Sequence, residues 1–371
     1  MSNLNINSLF SESYQQSRER FLTTMKDKGA EILSLLHPDE GPNMTPLYMD
    51  VASLKRAGNK QGIVLVSGTH GPEGFCGAAC QNYMVERGGL AKLLETVNVF
   101  FIHGHNPFGF AWNRRFTENN VDLNRNYADF EESQSFLNVD YLEISDLIHP
   151  HDLTEECFDQ IKLWISERGA SAFHQVALSG QRVDPDGILY GGVHGEWSNT
   201  MIRSVLPGLL GNLDDVVVID IHSGLGDYGV GEIFSVYQNH DPRQAVLAQW
   251  YDDLIARNDS SNDANASGAS EQYVTDGDFC SALTEILPQT TVYAFALEYG
   301  TVEFDRVFQA LVRENFAYHK YGLDDDRTLK AGQRLRDCFY INSPEWKELV
   351  ITRFEDILVK TLRGLQKLSG D

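Results

Sequence analysis

The sequence predicts an α/β protein in which a mixed, largely parallel twisted sheet lies between two layers of helices. Four short apolar runs rich in β-branched residues have the length and character of buried strands: 62–67, 97–103, 216–221 and 291–297. Helical segments separate these runs at roughly 74–87, 155–168, 242–257 and 302–320. This alternation of strands and helices is typical of a three-layer α/β/α fold.

The two ends of the chain carry apolar residues at helical spacing. Residues 9–36, and the segment that begins at Ser343 and Pro344, are therefore predicted to be helices that pack on the core. No segment between them has the composition of an interdomain linker. We therefore expect a single domain over residues 1–371.

The composition excludes some classes of partner. Lys and Arg number 30 against 53 Asp and Glu, so the formal net charge is −23. Such a chain repels nucleic acid and anionic membranes, and we expect neither as a partner. The first residues lack the pattern of a secretory signal, and five scattered cysteines suit reduced thiols, so we expect a cytoplasmic location. A homo-oligomer is compatible with this composition, which leaves the oligomeric state open.

Two polar segments that follow predicted strands carry candidate metal ligands. His70 and Glu73 are three residues apart at a strand-to-helix turn, which puts two good zinc ligands on the same side of the turn. His222 ends another apolar run, and Asp220 on the same strand face can orient it from behind. Taken singly, such a pair is commonly a surface pair, and such a histidine is commonly a core residue. Both sites, however, fall at the carboxyl ends of strands, where open α/β sheets bind ligands.

The other polar candidates are a carboxylate and a cluster of anion donors. Glu298 follows an apolar run, where a carboxylate needs a partner; a catalytic base beside a metal and a structural salt bridge both account for it. Arg114, Arg115, Asn124 and Arg125 lie within about a dozen residues of one another, and an arginine fork matches a carboxylate or an oxyanion.

Six motifs in order resemble the zinc carboxypeptidase superfamily, which also contains the aspartoacylase and succinylglutamate desuccinylase group. They are HGPE at 70–73, NPFG at 106–109, RR at 114–115, VDLNRN at 121–126, DIHSG at 220–224 and ALEYG at 296–300. VDLNRN is the most specific of them. The resemblance extends from about residue 62 to residue 301 and points to a less characterised bacterial branch.

The resemblance implies a zinc carboxypeptidase-like fold with one zinc ion per chain. His70, Glu73 and His222 match the metal ligands, and Glu298 matches the general base. Asp122 matches the aspartate that steadies the first zinc histidine.

The resemblance also implies residues that act on the substrate. Arg115, with Arg114 as the alternative, matches the arginine that stabilises the oxyanion, and we count Arg114 among the predicted substrate-binding residues. Asn124 and Arg125 match the pair that holds a substrate carboxylate. Tyr273 matches a mobile tyrosine that closes over the substrate.

The chain departs from the family pattern at two places. The first motif has Gly71 and Pro72 where the family often carries an arginine, so one cation on the substrate side is missing. Residues 131–211 are predicted to be an insertion that lengthens the interval between the second and third ligands. His103 and His105 remain rival metal ligands, because residues two apart on a strand share one face.

The resemblance implies a zinc metallohydrolase, a carboxypeptidase-like metalloprotease that cleaves an amide (peptide) bond next to a free carboxylate. The alternative is an N-acyl amino acid deacylase that uses the same metal site on a smaller substrate. A non-catalytic zinc-binding protein is the third reading, disfavoured because the ligands and the base are all present. The side-chain preference for the substrate stays open.

Overall fold

A seven-stranded mixed sheet forms the middle of the molecule. The computed structural model describes residues 4–131, 137–251, 254–255, 276–368 and 370. Within these ranges the strands occur in the spatial order β1-β2-β4-β3-β5-β7-β6. Their bounds are β1 Glu31–Gly41, β2 Thr45–Leu54, β3 Gln61–Ser67, β4 Val97–His103, β5 Asp215–Tyr228, β6 Gly231–Ser235 and β7 Thr291–Gly300.

The four central strands, β4, β3, β5 and β7, are parallel to one another. They coincide with the four apolar runs of the sequence. The strands outside them pair in antiparallel fashion, β1 with β2, β2 with β4, and β6 with β7. The prediction of a mixed sheet is confirmed, and parallel pairing is confined to its centre.

Helices cover both faces of the sheet, which confirms the three-layer arrangement. The described helices are α1 Tyr14–Asp27, α2 Gly74–Glu86, α3 Leu90–Leu93, α4 Pro107–Trp112, α5 Ser145–Ile148, α6 Glu155–Arg168, α7 Ala170–Leu178, α8 Trp197–Leu210, α9 Pro242–Tyr251, α10 Phe279–Ile286, α11 Phe304–Tyr321, α12 Asp326–Phe339 and α13 Pro344–Leu368. On β3, Ile63 and Leu65 belong to the same core as α1, α2, α9 and α13, whereas Val64 and Val66 belong to the core of α8 and α10. Strand alternation therefore assigns each side chain to one helix layer.

The prediction of a helix over residues 9–36 is wrong in its second half. Helix α1 begins after Ser13, whose side chain accepts a hydrogen bond from the Gln16 N–H, and it ends at Asp27. Gly29 then adopts a φ of +74°, a left-handed conformation that breaks the helix at little cost in a glycine. Strand β1 follows and pairs with β2. The C-terminal helix α13 does begin at Pro344, as predicted.

The predicted insertion at 131–211 divides between two places in the fold. Helices α5, α6 and α7 form a third core with α11 and α12. Helix α8 instead packs directly on the sheet through Ile202, Leu206 and Leu210. A single domain over residues 1–371 stays a prediction. None of the helices in the described ranges has the length and apolar character needed to cross a membrane.

Candidate functional site

The candidate site is formed by polar residues that follow strand β3 and by polar residues within the neighbouring parallel strands β5 and β7. His70 precedes a single helical turn between β3 and α2, and Glu73 is the last residue of that turn. A Cβ on Gly71 would lie 2.0 Å from the backbone carbon of Gly109, so only glycine fits beside helix α4. His222 and Glu298 are register partners on β5 and β7. Both strands continue beyond these residues, although the apolar runs end there.

Three buried side chains converge in this region. His70, Glu73 and His222 are each at most 4% exposed. Nδ1 of His70 lies 2.9 Å from Oε1 of Glu73, and Nδ1 of His222 lies 2.8 Å from Oε2 of Glu73. One ligand atom from each residue lies within 4.8 Å of the other two. The sequence-predicted trio is therefore assembled in space.

Two aspartates orient the two imidazole rings. Oδ1 of Asp122 lies 3.2 Å from Nε2 of His70, and Oδ2 of Asp220 lies 2.8 Å from Nε2 of His222. Because an ionised carboxylate only accepts hydrogen bonds, each Nε2 must donate. In a neutral ring the lone pair is then on Nδ1, directed at Glu73. Three electron-pair donors thus meet at one point, which requires a proton or a cation between them.

The pKa shifts within the trio also indicate a site for positive charge. Burial opposes ionisation, but the imidazoles of His70 and His222 hold the pKa of Glu73 well below its usual value. Burial likewise disfavours the charge on His222, yet the carboxylates of Asp220 and Glu73 raise its pKa well above the usual value. The site attracts positive charge.

Glu298 is half-buried beside the trio. Its Oε1 accepts a hydrogen bond of 3.1 Å from the backbone N–H of Leu225. Burial and the negative charge of Glu73 raise the pKa of Glu298 to about 8. No arginine or lysine lies within salt-bridge distance of it in the described part of the chain, so a structural salt bridge, the alternative reading of this residue, is not formed there.

Arg115 lies next to the trio and Arg114 does not. Nε of Arg115 donates to Oδ2 of Asp122 at 2.8 Å, and its Nη1 lies 3.6 Å from Oε1 of Glu73. The side chain is 15% exposed and so reaches the site from its edge.

Arg114 is 1% exposed, with its Nε 3.3 Å from Oε1 of Glu314 and its guanidinium carbon 3.3 Å from the centre of the Tyr318 ring. A second nitrogen donates to Oδ1 of Asn120. This buried environment differs from the substrate-facing position that the sequence predicted, and it places Arg114 between the 114–120 loop and α11.

Arg125 and Asn124 are held in fixed orientations. Arg125 donates from Nε to the carbonyl of Ser179, from Nη2 to that of Leu178 and from Nη1 to that of Asn124. Each terminal nitrogen carries one further N–H, which forms no hydrogen bond within the described part of the chain. Oδ1 of Asn124 accepts from the Phe279 N–H, so the amide NH₂ is the group left to donate. Their role in carboxylate binding stays a prediction. Tyr273 lies outside the described residues.

The rival histidines have other partners. His103 stacks on Phe21 at 4.5 Å between ring centres and lies 3.1 Å from Oε1 of Gln81. His105 lies between the hydroxyl groups of Thr69 and Tyr127. Burial lowers the pKa of each of these two histidines to about 4. Neither of them joins the trio.

A second group of potential ligands, His37, Asp39 and Glu118, is less suited to a metal. Nδ1 of His37 accepts from the backbone N–H of Asp39 at 3.0 Å, and its Nε2 lies 3.3 Å from Oε2 of Glu118. The neutral ring therefore carries its proton on Nε2, on the side of Glu118. Neither nitrogen then offers a lone pair to a cation.

A groove that the sequence did not reveal adjoins Glu298. Its volume is about 1040 Å³, and Gly224 and Leu225 line it together with Val302, Phe304 and residues of α11 and α12. Leu225 is also the donor to Glu298, so the groove opens next to the candidate base. Its walls come from segments far apart in the chain, and no local pattern could have signalled it.

The comparisons define a family for this chain. A model of the family described as a protein of unknown function (DUF2817) matches residues 10–353. The chain therefore belongs to that family. A comparison with curated proteins gives no match.

Several solved structures are similar to this fold at low sequence identity. Bovine thrombin-activatable fibrinolysis inhibitor is 12% identical with a TM-score of 0.48, covering 94% of this chain and 97% of its own. Carboxypeptidase A from Helicoverpa armigera is 12% identical with a TM-score of 0.46, covering 88% and 73%. An aspartoacylase family protein from Mesorhizobium loti is 14% identical with a TM-score of 0.37, covering 78% and 66%.

Proposed function

We propose that this chain is a zinc-dependent hydrolase that cleaves an amide bond next to a free carboxylate, in the manner of a carboxypeptidase. The observation that carries the proposal is the meeting of three electron-pair donors on His70, Glu73 and His222. Two imidazoles and one carboxylate are a common ligand set of catalytic zinc, which leaves a further coordination position for water or substrate.

Each residue of the site has a task that its position supports. Bound zinc would supply Lewis acidity towards the scissile carbonyl and a water molecule. Glu298, a carboxylate beside the trio, takes a proton from the attacking water and passes it to the leaving amine. Arg115, at the edge of the trio, donates to the oxyanion. Asn124 and Arg125 hold the substrate carboxylate with the N–H groups directed away from their backbone partners.

The groove favours a peptide over a small N-acyl amino acid. At about 1040 Å³ it is as large as the upper range of ligand pockets, ~300–1,000 Å³, and far larger than an acetyl or succinyl group requires. It adjoins Glu298 through Leu225, which suits the acyl side of an extended substrate. The cytoplasmic location and the lack of nucleic-acid or membrane partners stay predictions.

The proposal is tested by metal analysis and by two substrate panels. The purified chain should bind one zinc ion and hydrolyse peptides with a free C-terminal carboxylate faster than acetyl- or succinyl-amino acids. Glu73→Ala should abolish both zinc binding and turnover. Faster turnover of the acyl amino acids would favour the deacylase, and zinc binding without turnover on either panel would contradict a hydrolase.

A further inference from the structure

We propose that a chain of buried hydrogen bonds through Tyr127, His105, Thr69 and Asp220 positions His222 for the metal. The inference rests on the proposed metal site. It assigns three positioning residues to that site, Thr69, His105 and Tyr127, which touch neither metal nor substrate themselves. Asp220 is on β5, Thr69 follows β3 and His105 follows β4. Because these strands are neighbours, the chain of bonds runs across three adjacent strands of the sheet.

Every link of this chain is short and buried. Asp220 accepts from Nε2 of His222 at 2.8 Å and from the Thr69 hydroxyl at 2.7 Å. Oγ1 of Thr69 lies 3.0 Å from Nδ1 of His105, whose Nε2 lies 2.6 Å from the Tyr127 hydroxyl. The most exposed of the five side chains is Tyr127, at 4%.

The chemistry of the groups allows only one direction for these bonds. The Thr69 hydroxyl has a single proton, and the Asp220 carboxylate can only accept, so Thr69 donates to Asp220. Oγ1 of Thr69 must then accept from His105, which places the His105 proton on Nδ1. In a neutral ring Nε2 of His105 is left with a lone pair, and it accepts from the Tyr127 hydroxyl.

The surroundings keep His105 neutral and in place. Its ring contacts Phe279 at 4.9 Å between ring centres, and Phe279 also packs on Tyr127 at 5.1 Å. Burial among these rings disfavours the imidazolium, although Asp220 opposes this effect. His105 can therefore serve as a donor on one side and an acceptor on the other without a change of protonation.

The consequence is a His222 ring with one tautomer and one orientation. Asp220 holds the Nε2 proton of His222, and Thr69 prevents the carboxylate from turning away, so Nδ1 stays directed at Glu73 and the cation. Groups that orient metal ligands in this way typically change metal affinity by ~10–100-fold when they are removed. Thr69, which contacts Asp220 directly, should have the largest effect of the three.

The test is a set of paired substitutions in the full-length chain. Thr69→Val removes the hydroxyl at nearly constant shape, and Thr69→Ser restores it. Thr361→Val is the matched control, because Thr361 is also fully buried and its hydroxyl bridges the Tyr251 hydroxyl and the Ile357 carbonyl within another part of the core. Tyr127→Phe tests the far end of the chain. For each variant, the zinc dissociation constant is measured by chelator competition, and unfolding is measured separately in EDTA.

Thr69→Val should weaken zinc binding by ~10–100-fold. Thr69→Ser should bind zinc as the wild type does, and Tyr127→Phe should show a smaller loss than Thr69→Val. Thr361→Val should lower the unfolding temperature in EDTA and leave zinc affinity unchanged.

Wild-type affinity in both Thr69→Val and Tyr127→Phe, or equal losses in Thr69→Val and Thr361→Val, would overturn the inference and leave the metal site standing. A wild-type chain that binds no zinc would overturn both. Zinc binding that depends on Thr69 without any amide hydrolysis would refute the proposed function alone.

Discussion

Arg125 provides the sharpest test of what the substrate must carry. If its two remaining N–H groups hold a carboxylate, Arg125→Ala should lower kcat/KM for a peptide acid and spare the matching peptide amide. The structure adds a complication, because the same guanidinium binds the carbonyls of Asn124, Leu178 and Ser179. Removal of the side chain therefore also loosens this loop, and activity on both substrates should fall to some extent.

The expected size of the specific effect follows from the bonds involved. A hydrogen bond to a charged group contributes ~1.5–3 kcal/mol. At ~1.4 kcal/mol per factor of ten, the loss of even one such bond should lower the acid-to-amide ratio of kcat/KM by ~10–150-fold in Arg125→Ala. Loss of the three bonds to backbone carbonyls affects both substrates alike and cancels from this ratio.

The assay compares two substrates, with and without the terminal carboxylate, in the wild type and two variants. Arg182→Ala is the matched control, because Arg182 braces the same segment by donating to the backbone carbonyl of Arg125 at 2.9 Å. It should leave the acid-to-amide ratio unchanged while lowering both activities. If Arg125→Ala also leaves the ratio unchanged, the arginine only braces the loop, and the proposal that it binds the substrate carboxylate is refuted.

Four further predictions follow from the site and its surroundings. Glu298→Gln should retain zinc but lower turnover by at least ~100-fold, and loss of zinc instead would make Glu298 a ligand. Asp122→Asn should weaken zinc binding by ~10–100-fold in chelator competition, and an unchanged affinity would deny it a role in orienting the ligand. Chelation of the metal should abolish activity and lower the melting temperature. Zinc added back at about a hundredfold over its Kd should stabilise the fold by ~2.7 kcal/mol. An unchanged melting temperature on adding zinc would contradict a native metal site. Glu314→Gln leaves Arg114 buried without a countercharge, so the free energy of unfolding in urea should fall by ~3–5 kcal/mol. The control Glu285→Gln removes an exposed salt bridge and should lower it by at most ~1 kcal/mol. Equal losses would show that the buried pair contributes no more than the exposed one.

The central strands could be predicted because their burial on both faces produces a continuous apolar run in the sequence. The central parts of strands β3, β4, β5 and β7 are covered on both faces, so most positions there are apolar and the run stands out. Strand β1 lies at the edge of the sheet and is largely exposed, so its mixed pattern resembles a continuation of helix α1. Its identity depends on pairing with β2, which a local window does not contain.

The candidate site likewise has features that are visible in the local sequence and features that depend on distant contacts. The residue types that follow β3 and lie in β5 and β7 can be read from the sequence. The proposed zinc binding and proton transfer require these groups, which are His70, Glu73, His222 and Glu298. Which of the two adjacent arginines reaches the site depends on contacts that form in the folded chain. Arg114 is enclosed by Glu314 and Tyr318, two hundred or more residues further along the chain, whereas Arg115 meets Asp122 and the trio. A side chain's chemistry is local, but its neighbours, burial and protonation are set by contacts between distant segments, and these exist only once the chain has folded.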